Sequence, residues 1–107
     1  MKALKIKKED LGRGTIFGEG RKCILGYIYE KETGNKIVSI YNSEIITCKT
    51  KLKEAPTFTC NVDDIYTFLG KRIGKDTVTS LWKTNDAKNY DKLVELCKRI
   101  GYNLTWL

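Results

Sequence analysis

The chain has 107 residues, with 20 Lys and Arg against 13 Asp and Glu, a net charge of +7, four cysteines and no histidine. That length fits one domain, 1–107, and leaves no room for a second. No apolar run approaches the ~18 residues of a membrane span. Without histidine there is no Ser-His-Asp or Cys-His nucleophile, no imidazole metal ligand and no histidine acid–base pair. The expectation is a basic, non-enzymatic domain with no cofactor and no metal. Met1–Lys8 is too charged for the apolar core of a signal peptide. A cytoplasmic chain with reduced, mostly buried thiols is therefore expected. Cys23, Cys48, Cys60 and Cys97 are too widely spaced for the close pairs of a structural zinc site.

In chain order, Leu4 and Ile6 alternate with lysines, which suits a short edge strand or a fraying start. Residues 12–26 hold five glycines, too many for one regular element, so a loop is predicted at least to Gly20. Cys23–Glu30 reads as the first strand of a hairpin. It turns at Lys31–Asn35, where Gly34 and Asn35 tolerate positive φ, and returns through the β-branched and aromatic Lys36–Tyr41. Glu44–Lys49 and Thr57–Cys60 read as further strands.

The period then changes. Val62, Ile65, Tyr66 and Leu69 lie at i, i+3, i+4, i+7 and predict a helix over 61–73. Asn61 is its N-cap and Gly70 or Gly74 its end. Val78, Leu81 and Trp82 predict a second helix over 76–84, capped by Asp76 or Thr77. Tyr90, Leu93, Val94 and Cys97 predict a third over 87–100, with Gly101 just past its end. Tyr102–Leu107 alternates as a terminal strand. The predicted class is α+β: a small antiparallel sheet, with strands in 22–60 and 102–107, packed on about three helices.

Two features point to recognition of an anion. Gly12, Gly14, Gly18 and Gly20 could bring backbone N–H groups close to a phosphate, with Arg13, Arg21 and Lys22 to neutralise it. The spacing matches neither nucleotide-binding glycine motif. Residues 1–55 also carry twelve basic against seven acidic residues. Lys5, Lys7, Lys8, Arg13, Arg21, Lys22, Lys49, Lys51 and Lys53 are candidates for nucleic-acid phosphates or an acidic protein surface. Tyr27, Tyr29 and Tyr41, placed on strands, could offer stacking faces.

Asp64–Lys83 resembles the helix-turn-helix of DNA-binding regulators, with Tyr66 where that family has a small residue. The resemblance implies that Lys71, Arg72 and Lys75 reach phosphates and that Thr77, Thr79, Ser80 and Lys83 face bases. Cys23-Ile24-Leu25-Gly26, followed by Leu81-Trp82 and Asn85-Asp86, resembles a C-x-L-G…N-D pattern of short accessory proteins from phages and bacteria. That resemblance implies a helical C-x-L-G segment, against the strand read from its residues, and an Asn-Asp pair capping the next helix. It also implies a phage-type protein that occupies a host nucleic-acid-handling or defence complex. Direct nucleic-acid binding, a helix-turn-helix regulator and a nucleotide-phosphate sponge at Gly12–Lys22 remain open beside it.

Overall fold

Residues 1–107 are described by a computed structural model, and the chain is α+β. The first strand, β1 (Lys2–Ile6), leads through a single 3-10 turn to the short hairpin β2 (Phe17–Gly18) and β3 (Arg21–Lys22). Then follow α1 (Ile24–Thr33), β4 (Lys36–Tyr41), β5 (Ile45–Lys49), β6 (Thr57–Asn61), α2 (Val62–Ile73), α3 (Lys75–Asp86), α4 (Tyr90–Arg99) and β7 (Tyr102–Trp106). Strands β4, β5 and β6 form an antiparallel sheet in that order.

Two expectations are corrected. Cys23–Glu30 is not a strand. Ile24, Leu25, Ile28 and Tyr29 are buried at i, i+1, i+4 and i+5, one face of a helix. The residues that suit a hairpin turn also suit a helix end, because Gly34 closes α1 at φ 76°. Local β-propensity yields to this burial, and the chain has four helices. Gly26, inside α1, sits at a close approach of the chain to Ile16 and Lys22. A Cβ there would lie 3.0 Å from the Ile16 carbonyl oxygen and 3.1 Å from the Lys22 Cβ.

The terminal strand is also placed differently. β7 does not join the antiparallel sheet. It pairs in parallel with β1, Lys2 opposite Tyr102 through Ile6 opposite Trp106. Leu4 and Ile6 then share the inner face with Tyr102 and Leu104, all buried. A parallel pair needs a long crossover, and here nearly the whole chain provides it. The predicted edge strand at residues 4–6 is present, with Lys5 turned outward, while Lys2 shares the face of Leu4 and Ile6 and reaches Glu32.

The helices predicted over 61–73, 76–84 and 87–100 occur at 62–73, 75–86 and 90–99. The Asp64 carboxylate accepts from the Asn61 N–H at 3.0 Å, half of a capping box at the start of α2. Gly74, at φ 94°, ends α2 and starts α3, so neither Asp76 nor Thr77 is the cap. The four cysteines are free thiols. Three of them are buried and Cys60 is half-buried. Burial pushes the Cys97 thiol up to about 12, which keeps it neutral in the core. No helix is long and apolar enough to cross a membrane.

Glu32, at the end of α1, ties the parallel pair to the helices. Its carboxylate accepts from Lys2 Nζ at 2.8 Å and from the Tyr102 hydroxyl at 2.6 Å, with Arg72 Nε 3.6 Å away. The Lys2 and Tyr102 hydrogen bonds hold its pKa below the ordinary value of 4.5. A lowered folded pKa contributes stability that is complete above the unfolded value and lost as pH falls through the folded one. Thermal melts from about pH 7 down to about pH 3 should therefore fall less steeply for Glu32→Gln than for the wild-type chain.

Candidate functional site

The glycine-rich segment is anchored from the far end of α3. Asn85 is fully buried. Its Oδ1 accepts from the Ile24 N–H at 2.8 Å and its Nδ2 donates to the Gly12 carbonyl at 2.8 Å. The next residue, Asp86, accepts at Oδ1 from the Gly14 N–H at 3.0 Å, and its carbonyl accepts from Arg13 Nη1 at 3.3 Å. The first N–H groups of a helix have no partner within the helix. Asn85 supplies one to α1 across 61 residues of sequence. The C-x-L-G and N-D residues are thus neighbours in space. The pair was expected to cap the helix that follows it. Instead Asn89 caps α4, accepting from the Lys92 N–H at 3.3 Å.

With its base held, the segment forms one wall of an open cleft of about 720 Å³. Lys8 comes from the 3-10 turn, Arg13 and Arg21 from the glycine segment and Lys88 from the α3–α4 turn. All four are exposed. Glu9 and Glu19 also line the cleft, so cations outnumber carboxylates. Tyr90 closes one side, with Lys8 Nζ 4.8 Å from its ring centre and Trp106 stacked on it edge-to-face at 5.0 Å.

The predicted residues fall into separate groups. Arg13, Arg21, Gly12 and Gly18 line this cleft together with Lys8. Lys22 does not. Its ammonium pairs with Glu30 at 2.6 Å and lies 4.7 Å from the Tyr27 ring centre. The Gly12 N–H goes to the Lys22 carbonyl at 2.9 Å and the Gly14 N–H to Asp86, and Gly18 pairs with Arg21 across the β2–β3 hairpin. Gly14 and Gly20 make turns at φ 79° and 75°. Lys49, at the end of β5, and Lys51 and Lys53 in the loop after it are exposed on the antiparallel sheet. They do not line the cleft.

Tyr27 and Tyr29 lie on α1 rather than on a strand. Tyr29 is buried and packs edge-to-face on Phe68 at 5.8 Å, so it offers no stacking face. Tyr41 is exposed. In the helix-turn-helix segment, Arg72 is drawn to Glu32 and lies 5.2 Å from the Phe68 ring centre. The connection between α2 and α3 is the single residue Gly74, shorter than the three- or four-residue turn of that motif. Lys88 is the cleft cation that sequence reading did not single out. It stands alone in sequence, and it reaches the others because Asn85 draws the end of α3 onto the glycine segment.

Fold and site together define a small α+β chain with a basic cleft built on a buried asparagine latch. No protein-family model, curated protein or solved structure matches it.

Proposed function

We propose that this chain is a non-enzymatic binding protein that holds the phosphate backbone of a nucleic acid in the cleft lined by Lys8, Arg13, Arg21 and Lys88. The observation that supports this reading is the meeting of four exposed cations from three separate segments in one cleft. Such a cleft attracts phosphates by Coulomb steering and by releasing condensed counterions. Phosphate contacts carry no sequence information, so this part of the affinity is independent of sequence. The overall charge of +7 supports the same partner.

Fluorescence anisotropy with labelled duplex and single-stranded oligonucleotides tests the proposal. Four phosphate contacts predict that log K falls with log salt at a slope of about −3 to −4 on duplex DNA. The double variant Arg13→Glu, Arg21→Glu should weaken binding by more than about tenfold and flatten the slope by about two. Both side chains are exposed, so its melting temperature should stay close to that of the wild type. No binding at low salt, or binding that the double variant leaves unchanged, would overturn the proposal.

A further inference from the structure

A second cleft, of about 680 Å³, lies between α2 and α3 on the other side of the Gly14–Thr15 segment. Its volume is in the range of small-ligand sites. One face of α3 forms a wall through Lys75, Val78, Thr79 and Trp82, at i, i+3, i+4 and i+7, and Tyr66 and Lys71 of α2 stand opposite. Trp82 is 40% exposed. Gly70 lines the cleft where the two helices approach, and a Cβ there would lie 3.3 Å from Lys75 Cγ.

The two ends of the cleft differ in charge. Lys71 and Lys75, both exposed, stand at the α2–α3 junction. Trp82 follows seven residues along α3 from Lys75, about 10 Å at 1.5 Å per residue. Neither ammonium is paired with a carboxylate of the chain. The floor between them is uncharged. Burial pushes the Tyr66 hydroxyl up to about 12 and the Cys23 thiol up to about 11, so both keep their protons. Asp86 lines the opposite end, with Oδ1 already held by Gly14. A ligand matching this order carries an anion at one end and, about two helical turns away, a planar ring with an amino group for Asp86.

We propose that the α2–α3 cleft binds a nucleotide, its phosphate on Lys71 and Lys75 and its base against Trp82. Aromatic rings stack bases without reading sequence, and two ammoniums hold a phosphate as point charges. The same chemistry can come from a free nucleotide or from the phosphorylated end of a single strand. The site does not depend on the basic cleft and can succeed or fail separately.

Tryptophan fluorescence tests it, because Trp82 is exposed whereas Trp106 is half-buried against Tyr90. AMP and a 5′-phosphorylated oligonucleotide serve as probes, with adenosine and inorganic phosphate as the separate halves. AMP or the oligonucleotide should quench the signal saturably with Kd below about 1 mM, and each half should bind more weakly. AMP matching the oligonucleotide assigns a free nucleotide. Tighter binding of the oligonucleotide, lost on removing its phosphate, assigns a strand end. Lys71→Glu with Lys75→Glu should weaken binding at least about tenfold, as expected for losing charge-assisted hydrogen bonds. Trp82→Phe should bind more weakly than wild type but more tightly than Trp82→Ala, by calorimetry. Arg13→Glu with Arg21→Glu should leave AMP affinity unchanged. Two results would overturn the proposal: no saturable quenching of Trp82 by either probe, or AMP binding that survives the lysine reversals.

Discussion

Asn85→Ala is expected to lower the unfolding free energy by about 3–4 kcal/mol. The reason is orphaning rather than lost contact area. Asn85 is fully buried, and its amide serves the Ile24 N–H at one end and the Gly12 carbonyl at the other, both at 2.8 Å. Alanine removes both partners and leaves two main-chain groups in the interior. A buried group left unpaired costs about 1–3 kcal/mol. No other side chain hydrogen-bonds the first N–H of α1. Chemical denaturation with far-ultraviolet dichroism gives the loss directly. An unchanged midpoint would show that the latch carries no stability.

Asn85→Asp separates the donor from the acceptor. It retains an oxygen for Ile24, but an ionised carboxylate cannot donate to Gly12, and the buried charge lacks a cation. Its stability should be lowest near neutral pH and recover as the acid protonates, because the protonated form can donate. The wild-type chain should show no such recovery. Since Asn85 fixes Gly12 beside Arg13, both variants should weaken polyanion binding under conditions where the chain is still folded.

Glu30→Ala is the second large effect, about 2–3 kcal/mol. Glu30 accepts from Lys22 Nζ at 2.6 Å with one oxygen and from the Ile37 N–H at 2.7 Å with the other. Both side chains of the pair are only 16% exposed. Removing the carboxylate leaves a nearly enclosed ammonium and a main-chain donor at the start of β4. Breaking a fully buried pair costs about 3–5 kcal/mol, and the residual exposure here reduces that figure. Glu30→Gln keeps an oxygen for Ile37 and should cost about half as much. Lys22→Met, which removes the cation and retains its stem, should rescue much of the Glu30→Ala loss. Denaturation midpoints of the two single variants and the double variant yield the coupling energy.

The same pair explains a limit of sequence reading at the site. Lys22 sits next to Arg21 in a basic, glycine-rich stretch, and nothing local distinguishes a lysine bound for solvent from one bound for Glu30. Arg13 and Arg21 were legible as candidates because they flank glycines on a loop. Lys88 was not, since its neighbours Ala87 and Asn89 carry no charge pattern. Its role comes from the end of α3 being drawn against residues 12–14.

The elements with a clean period were readable from the chain. The apolar spacings around residues 62–69 and 90–97 match the faces that α2 and α4 bury, and Gly101 closes α4 at φ 91°. Helix period depends on burial of one face, and that information is local. The missing histidine and the charge of +7 are likewise properties of composition. Folding over long separations settled the remainder. Ile24-Leu25-Gly26-Tyr27-Ile28-Tyr29 has strand-like residues and becomes helical because its inner face meets the core and a residue 61 positions away satisfies its first N–H. β7 finds β1 across nearly the full chain, where Leu4 and Ile6 can share a buried face with Tyr102 and Leu104. Neither pairing leaves a local mark, because each depends on which distant group removes a polar atom or an apolar face from water.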